Sequence, residues 1–387
     1  MSITVTEYII GAIVGVLMTT QLLYLYIVSN ALHRRCVAER KGKLPSASQQ
    51  PGLSVVITAS NQETSLAKHL PHILEQDYPN FEVIVVDDNS KDDTPELLER
   101  LAQRYPHLYT THTSDSIRYI SHKKLALTLG IKAAKNEWIV FIEPDCYPVS
   151  NKWLSQLARH CTDSVDVVLG YSNYESKSTF INHCCTYDTL LQQMSMLGLA
   201  LRGAGYMGIG KNMAYRRELF FTHKGYSRHL DLERGEDDLF INEHVDAHRI
   251  TADISADSVV RCSSTNNSTW LNEKLSRLFM RRKMHGIYPH LTEIDSATRI
   301  LLYISFASCI IISILNHWWL PTGIVTALWT IYLVCRISVF HHIARDLNER
   351  KHLMLFPILG IMQPCWDLYF RLRLFFTSKD MHLRRKV

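Results

Sequence analysis

The chain has 387 residues and a formal net charge of +5, and 47% of its residues are hydrophobic. This length accommodates one sizeable core together with an appended segment. The modest charge is concentrated in a few short flanks and forms no basic stripe, so we expect no nucleic-acid partner. The nine cysteines are scattered and form no CxxC pair, which predicts reduced thiols in a cytosolic compartment.

An uncharged apolar segment occupies residues 8–28, near the start of the chain. It is long enough to cross the hydrocarbon layer, which takes roughly 20 residues. A cleaved signal peptide would need a basic segment before a shorter apolar core, and only Glu7 precedes this one. We therefore predict an uncleaved transmembrane anchor over residues 1–30. Residues 31–51 form a basic juxtamembrane segment and a polar linker, which predicts that the next domain faces the cytoplasm.

Three apolar segments in the middle of the chain have the composition of buried strands: residues 53–60, 81–88 and 137–145. Strands that are apolar on both faces and alternate with helices are typical of a parallel sheet covered on both sides. We therefore predict an α/β domain with a mostly parallel central sheet over residues 52–290.

Carboxylates follow two of these strands, where ligands of such sheets bind. Asp87 and Asp88 end the second strand, and Glu143 and Asp145 end the third. Glu143 and Asp145 would share one face of an extended chain, although a solvated turn is an alternative. Mg²⁺ and Mn²⁺ prefer oxygen ligands and are commonly held by one or two carboxylates plus substrate phosphates. A dinucleotide-binding fold is excluded because the turn TASNQETS after the first strand contains no glycine.

Two further apolar segments, residues 300–316 and 319–335, predict a transmembrane hairpin over residues 299–340. Trp318 lies in the turn between them, as suits a headgroup boundary. Arg336 follows the second segment, where its side chain could reach the cytoplasmic face of the membrane.

The last apolar segment, within residues 353–376, contains two prolines, Asp367 and two arginines. If it crossed the membrane, the basic tail with Arg384 and Arg385 would lie outside, against the positive-inside tendency. We therefore predict that residues 341–387 form an interfacial or re-entrant segment and a basic tail.

Five segments occur in the order found in a known enzyme family: SVVITASNQE, FEVIVVDDNSKDDT, KKLALTLGIKAAKNEWIVFIEPDC, GYMGIGKNMAYRRELF and GEDDLFINEH. Over roughly residues 52–285 the chain resembles the membrane-bound bacterial family-2 glycosyltransferases. The resemblance implies a GT-A fold, a nucleotide-sugar-binding α/β domain with flanking N-terminal and C-terminal transmembrane helices.

The resemblance also assigns the nucleotide site. The loop from Ala59 to Asn61 would lie along the nucleotide, and Asp87 would contact the uracil or ribose. Asp88 would support this loop, or alternatively cap the following turn. One of two adjacent lysines would neutralise the diphosphate, and we assign Lys124.

The metal and the general base follow in the same way. Asp145 matches the second Asp of the family's DxD motif and is the expected ligand of Mg²⁺ or Mn²⁺, while Glu143 stands where Asp is usual. Asp237 is the expected general base, which would take the proton of the acceptor hydroxyl during an inverting displacement. Asp238 is the alternative, because three carboxylates follow one another. A helix cap is the simpler explanation of the same residues.

A third group of residues would line the donor sugar and acceptor, and its last members come from a degraded QxxRW motif, WLNEKLSRL, in which Leu278 replaces the Trp. The group is Gly208, Gly210, Lys211, Asn212, Glu236, Trp270, Lys274 and Arg277. A basic amphipathic helix on the membrane would explain the degraded motif equally well.

The resemblance implies an inverting, metal-dependent transferase that moves a sugar from a nucleotide-sugar, in particular a UDP-sugar, to a lipid-linked or growing glycan acceptor in cell-envelope synthesis. The chain would be a multi-pass protein among the lipids of the bacterial inner membrane, with its catalytic domain in the cytoplasm. Two alternatives stay open. One is a processive polysaccharide synthase, which an intact QxxRW motif would have favoured. The other is a catalytically silent, membrane-anchored sugar-nucleotide or glycan-binding protein, which loss of Asp145 or Asp237 would have favoured.

Overall fold

The computed structural model describes residues 5–43, 50–114, 121–263, 267–349 and 355–376. The predicted basic tail at 377–387 and part of the predicted linker, at 44–49, lie outside the described residues. In chain order, the strands are β1 (Leu53–Ala59), β2 (Phe81–Asp87), β3 (Leu108–His112), β4 (Trp138–Phe141), β5 (Cys146–Pro148), β6 (Val167–Gly170), β7 (Ser172–Tyr174), β8 (Met213–Arg216), β9 (Ile250–Asp253) and β10 (Val260–Cys262). The helices are α1 (Val5–Arg40), α2 (Glu63–Leu74), α3 (Thr94–Arg104), α4 (His122–Ala133), α5 (Trp153–Ala158), α6 (Phe180–Ala200), α7 (Arg217–Thr222), α8 (Asp238–His244), α9 (Asn267–Arg281), α10 (Leu291–Leu315), α11 (Trp319–Asp346) and α12 (Phe356–Phe376).

A central sheet of seven strands has the order β3-β2-β1-β4-β8-β6-β9. Strand β8 runs antiparallel to its neighbours β4 and β6, and the other pairs in this sheet are parallel. Strands β1, β2 and β4 are almost entirely buried, since helices cover both faces of the sheet. On one face α4 packs so closely that a Cβ at Gly130 would lie 2.6 Å from Val56 Cγ1. The prediction of an α/β domain with a mostly parallel sheet is confirmed.

The strand register brings the predicted carboxylates to one edge of the sheet. Ala59 pairs with Asp87 at the ends of β1 and β2, and Val56 pairs with Phe141 at the end of β4. Because these three strands are parallel neighbours, the residues that follow them lie side by side. This edge holds the candidate site.

A second sheet of three strands, in the order β5-β10-β7, lies beside this edge. Cys146 on β5 pairs with Cys262 on β10, and the two form a disulfide across 116 residues of sequence. The prediction that all cysteines are reduced is therefore wrong for this pair. The cause is tertiary: no local spacing indicates that the strand after Asp145 lies against β10.

Three of the described helices, α1, α10 and α11, are long and apolar enough to cross a membrane. They pack together, with Leu302 and Phe306 of α10 against Tyr332 of α11. Helix α1 continues to Arg40, beyond the predicted anchor, so residues 31–40 of the juxtamembrane segment are helical. The end of α1 is tied to α11, because Arg40 donates to Asp346 Oδ1 at 3.0 Å.

The side chain of Arg336 does not reach towards the membrane surface, contrary to the prediction. It is 3% exposed, and its Nη1 donates to Gln21 Oε1 at 3.0 Å and to Tyr332 Oη at 3.1 Å. The amide of Gln21 on α1 and the hydroxyl of Tyr332 on α11 itself supply the acceptors, so the guanidinium stays inside the helix bundle.

Helix α12 is docked on α9 and is not one of the three helices above. The ring of Trp270 packs edge-on against Trp366 and Phe370, at centroid distances of 5.9 and 5.6 Å. Lys274 of α9 lies between Asp188 of α6 and Asp367 of α12, at 2.5 and 2.6 Å. This docking is compatible with an interfacial segment, which stays a prediction.

Candidate active site

A cleft of 480 Å³ opens at the carboxyl ends of β1, β2 and β4. The residues that follow these strands line one side of it, and residues of the second sheet and α9 line the other. The lining is Thr58, Ala59, Ser60, Gln62, Asp88, Lys123, Glu143, Pro144, Asp145, Tyr174, Ser263, Thr269 and Glu273. The strand ends therefore bring the predicted nucleotide loop and the predicted metal ligands to one cavity.

The two aspartates after β2 have different environments. Asp87 is 7% exposed, and its carboxylate accepts hydrogen bonds from the backbone and hydroxyl of Ser90, so it holds the turn together. Asp88 lines the cleft and accepts from Thr113 Oγ1 at 2.7 Å. Asn61 has a φ of +54° and accepts from Lys91 N at 2.8 Å, which ties the nucleotide loop to this turn. Asp88 is thus the aspartate that lines the cleft, whereas the resemblance assigns the nucleotide contact to Asp87.

Glu143 and Asp145 lie close enough to share a metal ion. Ligand atoms of these two residues and Cys146 all lie within 4.8 Å of one another. The thiol of Cys146 is used in the disulfide, so two carboxylates remain, which are the ligand type that Mg²⁺ and Mn²⁺ prefer. Burial opposes ionisation of Glu143, but Lys123 and Lys211 outweigh it and hold its pKa well below its usual range. Burial and the nearby charge of Glu143 raise the pKa of Asp145 to about 6, and a bound cation would relieve both effects.

The two adjacent lysines at the start of α4 point in different directions, and the choice of Lys124 as the diphosphate ligand is corrected. Lys124 is fully buried, and its ammonium donates to the backbone carbonyls of His229, Leu232 and Arg234 at 2.6, 3.0 and 2.8 Å. Reaching a diphosphate would break all three bonds. Lys123 instead lines the cleft, where its ammonium lies 3.1 Å from Glu143 Oε1 and 2.8 Å from Glu236 Oε1.

Asp237 caps the first turn of α8 and lies in a small pocket next to the cleft. Its two carboxylate oxygens each accept a backbone N–H at 2.8 Å, one from Gly210 and one from Asp238. Both bonds favour the ionised form, while burial and the charge of Glu236 raise its pKa. The result is a fixed carboxylate whose proton affinity is higher than that of an exposed Asp.

Asp238 is 6% exposed and accepts a hydrogen bond from Leu239 N at 2.8 Å. Burial and the charges of Asp237 and Glu236 raise its pKa to about 8, so it is mostly protonated at neutral pH. A protonated carboxyl group cannot accept a proton. This favours Asp237 over Asp238 as the general base.

Some residues of the glycine-rich segment before β8 lie at the candidate site, and one is buried in the core. Gly210 N binds Asp237, and Lys211 lies 3.7 Å from carboxylate oxygens of both Glu143 and Glu273. Gly208 lines the pocket of Asp237. Asn212 does not face a sugar: it is 1% exposed, and its amide bonds to Trp153 Nε1, Tyr171 O and Ser258 O.

Of the residues that the degraded QxxRW motif assigns to the sugar and acceptor, one lines the candidate site and two contact α12. Arg277 lines the pocket of Asp237 and donates a hydrogen bond to Gln192 Oε1 at 3.0 Å. Trp270 offers no open stacking face, because it is 8% exposed and packed under α12. Lys274 forms ion pairs with two carboxylates away from the cleft. Trp270 and Lys274 therefore hold α12 in place.

Two cleft residues escaped the sequence analysis. Tyr174, at the end of β7, donates from its hydroxyl to Glu273 Oε2 at 3.0 Å, and its ring lies 4.9 Å from the Lys211 ammonium. Neither residue belongs to a recognisable motif. Glu273 immediately precedes Lys274 in the degraded motif, which is the one signal that could have indicated it.

Comparison with known proteins agrees with this geometry. Residues 54–222 match the family model described as Glycosyl transferase family 2. The chain is 28% identical over 155 residues to the glycosyltransferase GlyG of Streptococcus pneumoniae, an alignment that covers 40% of this chain and 50% of that protein. It is 27% identical over 129 residues to an Escherichia coli protein, the UDP-Glc:alpha-D-GlcNAc-diphosphoundecaprenol beta-1,3-glucosyltransferase WfaP, with 33% and 48% coverage. The chain thus spans about half the length of these curated relatives.

Among solved structures, the mannosyltransferase PcManGT from Pyrobaculum calidifontis, in complex with GDP-Man and Mn²⁺, superposes with a TM-score of 0.50. The alignment covers 91% of this chain and 99% of that one, at 18% identity, so it supports the fold alone. Residues 54–222 are therefore similar to glycosyl transferase family 2, and the chain has a GT-A-like α/β fold.

Proposed function

We propose that the protein is an inverting, metal-dependent glycosyltransferase that moves a sugar from a UDP-sugar to a lipid-linked glycan acceptor at the membrane. One observation carries the proposal: Lys123 and Glu143 line both the strand-end cleft and the base pocket of Asp237. A diphosphate in the cleft and a base beside the reacting sugar would then be separated by a single layer of side chains. This is the arrangement that direct displacement at an anomeric carbon requires.

The reaction follows from the charges in these two cavities. Asp237, oriented by the N–H groups of Gly210 and Asp238, takes the proton of the acceptor hydroxyl as that oxygen attacks the sugar. A single base with in-line attack inverts the anomeric carbon. Lys123 and Lys211 lie where negative charge develops on the leaving nucleoside diphosphate. A divalent cation held by Asp145 and Glu143 would add Lewis-acid stabilisation of the same group.

The membrane helices and the relatives support a lipid-linked acceptor. Two relatives are named for lipids: WfaP for an alpha-D-GlcNAc-diphosphoundecaprenol, and the Trichormus variabilis protein for the beta-monoglucosyldiacylglycerol that it makes. In our proposal α1, α10 and α11 cross the bacterial inner membrane. The turn between α10 and α11, Asn316–Trp318, contains no Lys or Arg, whereas α1 ends in basic residues, and this charge difference supports a cytoplasmic sheet domain.

The two alternative functions have less support. A processive synthase would use an intact QxxRW motif, whereas here Lys274 is engaged by Asp188 and Asp367. A silent binding protein would not need a fixed carboxylate in a pocket beside the cleft, as Asp237 is. The donor base rests on the name of WfaP, because the fold-matched structure holds GDP-Man.

The test is release of nucleoside diphosphate by the full-length protein in nanodiscs that contain a lipid-diphosphate-linked sugar. A panel of UDP- and GDP-sugars would be assayed with Mn²⁺, with Mg²⁺ and after chelation. Asp237→Asn is the base variant and Asp145→Asn the metal variant, with Asp163→Asn, a fully exposed aspartate, as matched control.

We expect metal-dependent UDP release from one donor and attachment of one sugar to the lipid. Both active-site variants should lose about 10²-fold or more of the rate, which is typical for removal of a general base, and the control should match wild type. Long products would establish the processive synthase instead. Donor binding without turnover, in wild type and variants alike, would establish the binding protein.

A further inference from the structure

A chamber separate from the strand-end cleft lies between the membrane helices and the sheet domain. Residues of α1, α6, α9, α10, α11 and α12 line it, and its volume is 80 Å³. A cavity of about 10–15 Å³ is enough for one water molecule, so the chamber can hold a larger polar group. Part of its wall is apolar, with Leu25 and Val28 of α1.

The wall of this chamber is rich in cations. Six cationic and four anionic side chains line it. Lys274 is neutralised by two of the carboxylates, and Arg299 is paired with Asp295. By contrast, Arg281 donates to the hydroxyl of Thr292 and Arg336 to an amide and a hydroxyl. Neither guanidinium group therefore forms an ion pair with a carboxylate among the described residues.

Several N–H groups in the wall have no acceptor. Arg299 is 1% exposed, yet its Nε and Nη1 atoms are buried and have no hydrogen-bond partner among the described residues. The same holds for Nε of Arg371 on α12. Buried donors without partners are costly, and charged ones more so. Phosphate oxygens accept such donors in pairs, which makes a phosphate group the complementary ligand.

The chamber adjoins both parts of the active site. Arg277 lines the chamber and also the pocket of Asp237. Tyr174 and Glu273 line the chamber and also the strand-end cleft. A group held by Arg299 would therefore lie one side-chain layer from the general base, on the membrane side.

Helix α12 presents an apolar outer surface beside this chamber. Its exposed side chains include Leu368, Leu372 and Phe375, while Asp367 faces inwards to Ser296 at 2.7 Å. If α12 lies in the interface of a bilayer, as predicted, an acyl or polyprenyl chain would have access to the apolar wall of the chamber.

We infer that this chamber binds the phosphate or diphosphate group of the lipid-linked acceptor, with Arg299 and Arg371 as donors, and so directs the acceptor's sugar hydroxyl towards Asp237. The inference rests on the proposed function for its lipid acceptor. The chemistry that the chamber recognises is a phosphate group, which a lipid or a free anion could supply.

The test measures binding and needs no turnover. Full-length protein in nanodiscs would be titrated with farnesyl diphosphate, with inorganic pyrophosphate and with the uncharged alcohol farnesol. The variants are Arg299→Gln and Arg371→Gln, and the matched control is Arg282→Gln, an exposed arginine one residue beyond α9. UDP affinity would be measured in each protein to show that the donor cleft is intact, and the half-buried Arg371 provides a second variant if Arg299→Gln is unstable.

We expect at least tenfold weaker binding of farnesyl diphosphate in both variants, with UDP affinity and the control unchanged. Farnesol should bind weakly to all proteins. Equal affinity of wild type for pyrophosphate and farnesyl diphosphate would identify a free-anion site and overturn the lipid assignment. Unchanged lipid binding in both variants would overturn the chamber itself. A failure of sugar transfer would leave these binding results intact, so the two proposals fail separately.

Discussion

Asp237 and Asp238 are neighbours in sequence but differ in what their oxygens contact. Asp237 accepts two backbone N–H groups, which stabilise negative charge, whereas Asp238 is buried behind it beside two other carboxylates. Which of three consecutive carboxylates is ionised therefore depends on the local hydrogen bonds at the start of α8. Residue type alone does not distinguish them.

Replacing each aspartate by the isosteric amide should separate their roles. Because Asp238 is mostly protonated at pH 7, we expect Asp238→Asn to keep the transfer rate within a few-fold of wild type, and Asp237→Asn to lose it. The pH–rate profile of wild type should fall on the acid side as Asp237 protonates, at a higher pH than the usual value of 3.8 for Asp. An Asp238→Asn protein as inactive as Asp237→Asn would contradict this assignment.

The same pair makes a prediction about stability. The raised folded pKa of Asp238 means that its neutral form stabilises the protein fully below pH 3.8, and that this contribution is lost as the pH rises towards about 8. The amide in Asp238→Asn does not titrate. The stability of this variant relative to wild type should therefore increase between pH 4 and pH 8, as measured by denaturant unfolding in detergent, and a constant difference would refute the raised pKa.

Lys123 and Lys124 show the same dependence on environment. Consecutive helical residues point about 100° apart, so only one of them faces the cleft. Lys124→Met would leave three buried carbonyls without their donor, and we expect a loss of roughly 3 kcal/mol in unfolding free energy with nucleotide affinity of the folded protein retained. Lys123→Met should weaken nucleotide binding at least tenfold. Calorimetric titration of UDP below the unfolding temperature checks both; a Lys124→Met protein of normal stability that binds no UDP would restore the original assignment.

At the scale of elements, α9 and α12 are held together by Lys274 and the aromatic side chains around it. Lys274 has two buried carboxylate partners on different helices, so its loss leaves both Asp188 and Asp367 without a counter-charge. The degraded QxxRW motif thus retains basic residues. One of them, Lys274, forms ion pairs that sequence similarity does not indicate.

We expect Lys274→Met to destabilise the protein by roughly 3–5 kcal/mol, as is typical when one partner of a buried ion pair is removed. Trypsin should then cleave α12 at Arg371 and Arg373 faster than in wild type. Lys283→Met, an exposed lysine just beyond α9, is the matched control. Equal cleavage rates in all three proteins would show that the ion pairs do not hold α12.

At the scale of the whole molecule, the proposed membrane topology puts the pocket of Asp237 and the basic chamber on one side of a membrane. Helices α10 and α11 are joined by the short turn Asn316–Trp318, so this turn must lie on the opposite side from the sheet domain if both helices cross. In the proposed function, this topology would give a membrane-linked acceptor access to Asp237 while the donor enters from the cytoplasm.

Labelling with a membrane-impermeant maleimide tests this topology. In right-side-out spheroplasts, Asn316→Cys should be labelled at once, and Asp163→Cys in the sheet domain only after the membrane is opened. Both positions are exposed, and the unmodified chain controls for its own cysteines. Labelling of Asp163→Cys in intact spheroplasts would reverse the orientation.

The sequence by itself determined the α/β class, the mostly parallel sheet and the positions of the apolar helices, because these follow from local periodicity and segment length. It also determined that Glu143, Asp145 and the loop after β1 meet in one cleft, since the ends of parallel strands share an edge. Only the tertiary structure decided the rest, including the Cys146–Cys262 pair and the basic chamber around Arg299. These features depend on contacts between segments far apart in sequence. Which polar side chain lines a cavity is likewise not a local property, because it depends on burial, neighbouring charges and available hydrogen-bond partners.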